Sequence, residues 1–197
     1  FGPGAVEQVG LWAARLAWRK IFIVTDKELV RDGAAERVND SLAEYGIRAS
    51  EYDGGRPEPL FADVDHCVAA ARAFGPDAIL GLGGGSNLDL AKITAAVLAH
   101  GGSARDYIGE DKIPGPVPPL ICIPTTAGTG SEISCSCVLT DEQQHVKVSA
   151  LSWHLRPRLA IVDPTMTLTC PRQVTADSGI DALVHAIEAL TVINALD

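Results

Sequence analysis

The sequence is poor in basic residues and contains no apolar run long enough to form a membrane helix. Its 197 residues include 16 Lys and Arg against 25 Asp and Glu, a formal net charge of −9. Sequence-independent binding to a nucleic-acid backbone needs clustered Lys and Arg, so this balance argues against a nucleic-acid partner. Because a membrane helix needs about 18–20 consecutive apolar residues, we expect a soluble protein with no membrane partner.

Features of secreted proteins are also scarce. The first four residues, Phe1 to Gly4, have neither the positive segment nor the apolar segment with which a signal peptide begins. The five cysteines are an odd number in a chain too long for a disulfide-stapled mini-domain. We therefore expect reduced thiols and a cytoplasmic protein. Cys135 and Cys137 resemble half of a metal site, but no second cysteine pair completes it.

Short apolar segments alternate with helical patterns over most of the chain. Strands are predicted at 20–25, 47–52, 78–82, 120–123 and 159–162. The pattern also predicts one helix over 28–45 closed by Gly46, a hairpin over 133–151, and a helix over 180–190. Short strands that are apolar on both faces and are separated by helices are typical of an α/β fold with an open, mostly parallel sheet.

The clearest chemical signal is the glycine-rich segment after the predicted strand at 78–82. Gly83, Gly84 and Gly85 follow the strand directly and a predicted helix follows them. Glycines let a backbone approach a phosphate closely, and a helix N-terminus presents unpaired N–H groups to it. Ser86 and Asp89 have the spacing of a capping box. The alternative is a tight turn, but three glycines exceed what a turn requires.

Two further strand ends carry polar groups. Asp26 follows the first strand, and a carboxylate there is suited to accept hydrogen bonds from a ribose 2′-hydroxyl and to repel a 2′-phosphate. Its alternative role is to cap the helix that follows. The segment 124–132, PTTAGTGSE, leaves another strand and is rich in small hydroxyls and glycines, which suit a pyrophosphate or ribose. An ordinary Gly/Thr-rich loop is the alternative.

Asp181 and His185 are the candidate metal ligands. They lie four residues apart on a predicted helix, so their side chains share one face with Cβ atoms about 5–6 Å apart. That arrangement suits two ligands of one divalent cation. The more common outcome for such a pair is a simple surface contact, and two residues do not complete a metal site.

Four ordered motifs resemble the iron-containing (group III) alcohol dehydrogenases. They are GGGSNLDLAK (83–92), PTTAGTGSE (124–132), AIVDP (160–164) and GIDALVHAIEA (179–189). The resemblance implies an NAD(P)-dependent oxidoreductase of small alcohols and aldehydes, with Fe(II), or sometimes Zn, held by one Asp and three His. It also implies a dinucleotide-binding α/β domain over 1–165 and, over 166–197, the beginning of a helical metal-binding domain. We expect the rest of that domain, with the two missing histidines, to follow Asp197.

The resemblance assigns roles to ten residues. The metal ligands are Asp181 and His185. The cofactor-binding positions are Asp26, which selects NAD, and Gly84, Gly85, Ser86, Thr125, Thr126, Ser134 and Lys147. One position departs from the family pattern, because Glu58 stands where relatives often have Asn beside the cofactor.

The expected reaction is reversible hydride transfer between an alcohol carbon and nicotinamide C4, with the metal acting as a Lewis acid on the substrate oxygen. One rival is a dehydroquinate-synthase-like lyase that also uses NAD and a metal, although 179–189 fits the dehydrogenases better. A second rival is a non-catalytic cofactor-binding or assembly module. A metal-free reductase of the maleylacetate type is disfavoured by the retention of Asp181 and His185. A homo-oligomer is left open.

Overall fold

The computed structural model describes residues 1–192, so the last five residues of the predicted helical domain lie outside it. Within the described range the strands are β1 Lys20–Val24, β2 Arg48–Tyr52, β3 Ala78–Gly83, β4 Gly109–Glu110, β5 Leu120–Pro124, β6 Ser136–Asp141, β7 Val146–Leu151 and β8 Leu159–Ala160. The α-helices of the same range are α1 Val9–Arg15, α2 Lys27–Arg31, α3 Ala34–Glu44, α4 Phe61–Phe74, α5 Gly85–His100 and α6 Arg172–Thr191.

Five strands form a parallel sheet in the order β2-β1-β3-β5-β8. This confirms the predicted α/β fold with a mostly parallel sheet. The carboxyl ends of parallel strands meet at one edge of a sheet. The register pairs Gly83 at the end of β3 with Pro124 at the end of β5. The two glycine-rich loops therefore leave the sheet side by side, and Asp26 follows the neighbouring strand β1.

Both faces of the sheet are covered by helices. Along β1, Phe22 and Val24 belong to one buried cluster, which includes side chains of α4 and α5. Ile21 and Ile23 belong to the other cluster, which includes side chains of α1 and α3. This alternation explains why the strands are apolar at nearly every position, as expected for a parallel sheet buried on both sides.

A second, three-stranded sheet lies over α5. Strands β6 and β7 form an antiparallel hairpin, which confirms the hairpin predicted over 133–151. Strand β4 adds to β7 in parallel. Cys137 and Leu139 of β6 are buried in the cluster that also holds residues of α5.

The prediction of one helix over 28–45 is wrong. The structure contains two helices, because Gly33 adopts a left-handed conformation with φ of 81° between α2 and α3. A residue with a side chain rarely adopts that conformation, whereas glycine does so without steric cost. The apolar periodicity continues across the break, so the sequence pattern alone conceals it.

Helix α6 begins at Arg172, earlier than the predicted 180, and buries none of its residues. Its exposed apolar side chains include Ile180, Leu183, Ile187 and Leu190. Within residues 1–192, no helix combines the length and apolar character needed to cross a bilayer.

Candidate functional site

A cavity of about 560 Å³ lies at the carboxyl edge of the parallel sheet. Residues that follow three adjacent strands line it, together with the first turns of α6. Its lining includes Asp26 after β1, Gly84, Gly85, Ser86 and Asn87 after β3, Thr125, Thr126 and Thr129 at and beyond the end of β5, and Val174 and Ser178 of α6. The structure thus brings together six of the eight predicted cofactor-binding residues.

The N-terminus of α5 opens into this cavity without a side-chain cap. Gly84 is the N-cap residue, and no side chain accepts a hydrogen bond there. The first N–H groups of a helix have no partner within the helix and carry the positive end of its dipole. Because Gly84, Gly85 and Ser86 all line the cavity, this helix end is suited to bind an anion such as a diphosphate.

The predicted capping box of Ser86 and Asp89 is wrong. The helix starts at Gly85, two residues earlier than that spacing requires, so Ser86 lies inside the first turn. The hydroxyl of Ser86 accepts a hydrogen bond from the N–H of Glu58 at 3.3 Å. Asp89 instead accepts two hydrogen bonds, from Ser131 Oγ of the loop after β5 to Oδ1 at 2.6 Å and from Val138 N–H of the hairpin to Oδ2 at 3.0 Å.

The two glycine-rich loops pack against each other closely. A Cβ atom on Gly85 would lie 2.9 Å from Thr129 Cγ2, and one on Gly84 would lie 3.4 Å from Thr126. A side chain at Gly85 would therefore displace the loop after β5. Glycine at this position keeps the N-terminus of α5 and the threonine hydroxyls on the same cavity wall.

Asp26 fills the capping role that was the alternative for it. Its Oδ1 accepts hydrogen bonds from the N–H groups of Glu28 and Leu29, both at 3.0 Å, and this caps α2. Its Oδ2 accepts a hydrogen bond from Asn87 Nδ2 at 2.8 Å. Because Asp26 also lines the cavity, capping does not remove it from the site, and its contact with a ribose stays a prediction.

The charged residues of the 83–92 motif form a buried network that sequence reasoning missed. Lys92 is fully buried, and its Nζ donates to Ser131 Oγ at 2.9 Å, Ser134 Oγ at 3.0 Å and Ser136 O at 2.8 Å. Burial raises the pKa of Asp89, while the Ser131 hydrogen bond and the charge of Lys92 act in the opposite direction. The network connects α5 to residues 131–136, which lead from the loop after β5 into the hairpin.

Ser134 and Lys147 are not among the residues that line the cavity in the described part of the chain. Ser134 is a partner of Lys92. The ammonium of Lys147 lies 3.0 Å from Oε1 of Glu58, and both side chains are more than half exposed. The ion pair connects the hairpin to the segment before α4. A cofactor contact of Ser134 or Lys147 stays a prediction.

Asp181 and His185 lie on α6 with Oδ1 and Nε2 3.8 Å apart, and their side chains are 44% and 52% exposed. This is the surface contact that was their alternative interpretation. No group of three or more His, Cys, Asp or Glu suited to a metal occurs within residues 1–192. Burial raises the pKa of Cys137 to about 12, which keeps that thiol protonated at neutral pH.

Comparison with known proteins agrees with this architecture. The family model described as "Iron-containing alcohol dehydrogenase" matches residues 1–164. The 1,3-propanediol dehydrogenase of Klebsiella pneumoniae is 38% identical over 191 residues, which are 96% of this chain and 49% of that protein. The NAD-dependent methanol dehydrogenase of Bacillus methanolicus is 38% identical over 188 residues, which are 95% of this chain and 49% of that protein.

A solved structure shows the same fold. The alcohol dehydrogenase from Oenococcus oeni superimposes with a TM-score of 0.94 at 34% identity, over 98% of this chain and 51% of that chain. The chain thus spans about half the length of these relatives. The sheet order, the position of the two glycine-rich loops and the sequence match over 1–164 agree with one another. The chain therefore belongs to the iron-containing alcohol dehydrogenase family.

Proposed function

We propose that the intact protein is an NAD(H)-dependent oxidoreductase that interconverts a small alcohol and an aldehyde or ketone. The observation that carries the proposal is the convergence of three strand ends and an uncapped helix N-terminus on one cavity. A cavity of about 560 Å³ is within the range of small-molecule and cofactor sites, about 300–1,000 Å³. The relatives named above are alcohol dehydrogenases, one of them described as NAD-dependent.

Each part of the cavity suits one part of a dinucleotide. We assign the diphosphate to the main-chain N–H groups of Gly84, Gly85 and Ser86, because they form the positive end of α5. The hydroxyls of Thr125 and Thr126 lie on the adjoining wall and supply further donors. Asp26, at the end of β1, is assigned to the adenine-side ribose, where its charge disfavours a 2′-phosphate and so selects NAD over NADP.

The domain assignment follows from these roles. We propose residues 1–165 as the dinucleotide-binding domain, because all five strands of the parallel sheet fall within that range. Helix α6 then begins the metal-binding part of 166–197. The nicotinamide cofactor supplies or accepts the hydride when it is bound, and the chain's own task is to fix its position and keep water from the reacting carbon.

Asp181 and His185 lie on the helix face that already lines the cavity. Val174 and Ser178 line it, and positions 174, 178, 181 and 185 follow one another at helical spacings of three or four residues, which place them on one face. Asp181 and His185 are not among the residues that line the cavity in the described part of the chain, and we propose that the pair extends this wall toward the C-terminal end of α6. We propose that this end of the cavity is where the substrate oxygen binds.

A carboxylate and an imidazole are suitable ligands for Fe(II) or Zn. Two ligands are only part of a coordination sphere, so residues 1–192 do not form a complete metal site by themselves. We propose that other residues of the intact protein complete it. When bound, the metal acts as a Lewis acid that polarises the substrate oxygen.

The test is NADH oxidation by the intact protein with a panel of small aldehydes. Turnover should require iron or zinc and should stop when a chelator is added. Metal-loaded protein that binds NADH but turns over no aldehyde in the panel would contradict the proposal. The same assay on residues 1–197 alone examines the rival interpretation as a cofactor-binding module, since this chain should bind NADH without turnover.

A further inference from the structure

Asn87 connects the phosphate-binding helix to the carboxylate at the end of β1. It lies in the first turn of α5, and only 3% of its surface is exposed. Its Nδ2 donates to Asp26 Oδ2 at 2.8 Å and to the carbonyl oxygen of Leu82 at 3.1 Å. An amide NH₂ has two hydrogens, so both donors of Asn87 are used, one of them on a charged acceptor that lies 61 positions away in sequence.

Two glycines make the space that this amide occupies. A Cβ atom on Gly83 would lie 2.3 Å from Asn87 Nδ2, and one on Gly55 would lie 2.2 Å from Asn87 Oδ1. No side-chain carbon fits at that distance, so the amide is enclosed by main chain on two sides. The orientation of Asn87 is therefore determined by its surroundings before any ligand binds.

The carboxylate of Asp26 has a limited number of free acceptor positions. Two carboxylate oxygens provide about four lone-pair sites. The N–H groups of Glu28 and Leu29 use two of them on Oδ1, and Asn87 uses one on Oδ2. By this count, one acceptor position on Oδ2 remains available to a ligand in the cavity.

We propose that Asn87 is a positioning residue that acts on the cofactor through Asp26. Its hydrogen bond prevents rotation of the carboxylate and presents the one remaining acceptor position of Oδ2 to a ribose hydroxyl. The inference rests on the proposed function, because it assigns Asn87 a part in NAD binding. It goes further in predicting that Asp26 accepts one hydrogen bond from the ribose rather than two, and that NAD selection depends on a residue of the phosphate-binding helix.

The test is a double-mutant cycle in the intact protein with NADH and NADPH as ligands. Asn87→Leu keeps a similar volume but removes both donors. Asp26→Ser removes Oδ2 but keeps a residue that caps helices well, so α2 retains its cap. Fluorescence titration gives the Kd of each nucleotide for the wild type, both single variants and the double variant, and a thermal unfolding scan confirms that each is folded. Asn87→Ser, a smaller polar substitution, replaces Asn87→Leu if the latter does not fold.

Hydrogen bonds to charged groups contribute appreciably to stability. Because Asn87→Leu removes the hydrogen bond to the charged Asp26, we expect it to raise the Kd of NADH about fivefold to tenfold and to reduce the preference for NADH over NADPH. In the Asp26→Ser background the same substitution should change the Kd less than about twofold. Asn39→Leu is the matched control, because Asn39 Nδ2 also donates to a carboxylate, Glu51 Oε2 at 3.2 Å, away from the cavity.

Two results would overturn the inference while leaving the proposed function intact. One is an equal loss of NADH affinity in both backgrounds, which would mean that Asn87 supports the loop without acting through Asp26. The other is no loss at all for Asn87→Leu. A wild-type protein that binds neither nucleotide would overturn the proposed function, and this inference with it.

Discussion

Replacement of Lys92 by Met should destabilise the protein by several kcal/mol, far more than replacement of the exposed Lys147 by Met. Lys92 is fully buried, and the three hydrogens of its ammonium are shared among acceptors on Ser131, Ser134 and Ser136. Methionine has a similar length and keeps the apolar packing of the stem. The substitution therefore removes the charge and the hydrogen bonds while leaving little cavity.

The expected magnitude follows from the contacts. Three hydrogen bonds from a charged donor contribute about 1.5–3 kcal/mol each, and the desolvation of the ammonium cancels several kcal/mol of that sum. The substitution also leaves the partly buried carboxylate of Asp89 without the positive charge that lowers its pKa. Removing one member of a buried charged network typically costs about 3–5 kcal/mol, and we expect Lys92→Met to fall in that range.

Urea unfolding followed by tryptophan fluorescence measures the loss, because Trp12, Trp18 and Trp153 all lie in the α/β part of the chain. Lys147→Met is the matched control. Its ammonium forms an exposed ion pair with Glu58, and such pairs contribute at most about 1 kcal/mol. A loss below about 1 kcal/mol for Lys92→Met would refute the argument that this network holds α5 and the hairpin together.

Three further predictions concern the cavity, the pH dependence of stability and the metal. Gly85→Val should weaken NADH binding at least about tenfold in a fluorescence titration, because its Cβ would lie 2.9 Å from Thr129 Cγ2. Burial of Asp163 opposes its ionisation, but hydrogen bonds from Thr165 and the main chain outweigh this and lower its pKa. Asp163→Asn should therefore reduce the free energy of unfolding at neutral pH, with a difference that narrows as pH falls below about 3.9. Asp181→Ala and His185→Ala should each reduce the bound iron or zinc of the intact protein, measured by elemental analysis, and leave NADH affinity within about twofold.

The cavity and metal predictions each have a control variant in the same chain. Gly115→Ala adds a Cβ atom 3.5 Å from His100 Cε1, an ordinary contact outside the cavity, and should leave NADH affinity unchanged. His66→Ala removes an exposed histidine of α4 and should leave the metal content unchanged. If Gly115→Ala weakened NADH binding as much as Gly85→Val, the assignment of the diphosphate site would be contradicted. If His66→Ala reduced the metal content as much as Asp181→Ala or His185→Ala, the assignment of the metal ligands would be contradicted. For Asp163, a stability difference that persists unchanged at low pH would contradict the assignment of its lowered pKa.

The arrangement of the sheet and its loops was predictable because its signals are local. Each strand is a short apolar run, and Gly83, Gly84 and Gly85 follow one of these runs directly. The order in which β1, β3 and β5 lie side by side is not encoded locally and comes from the structure. The break at Gly33 was missed because apolar periodicity on both sides of it continues without interruption.

The contacts that organise the site were less predictable because they join distant parts of the chain. The hydrogen bond from Asn87 to Asp26 spans 61 positions, and those of Lys92 reach residues 39 to 44 positions away. A lysine and an asparagine near a helix start resemble ordinary surface residues in a sequence. A signal for Lys92 was nevertheless present, since Leu88, Leu90, Ile93 and Val97 make α5 apolar on nearly every side.

A crystal structure of the protein with bound NADH tests the central claim most directly. The claim predicts the diphosphate within hydrogen-bonding distance, about 2.7–3.2 Å, of main-chain nitrogens among Gly84, Gly85 and Ser86, with the nicotinamide directed toward α6. Density for NADH at another place, or an empty cavity at saturating NADH, would contradict it.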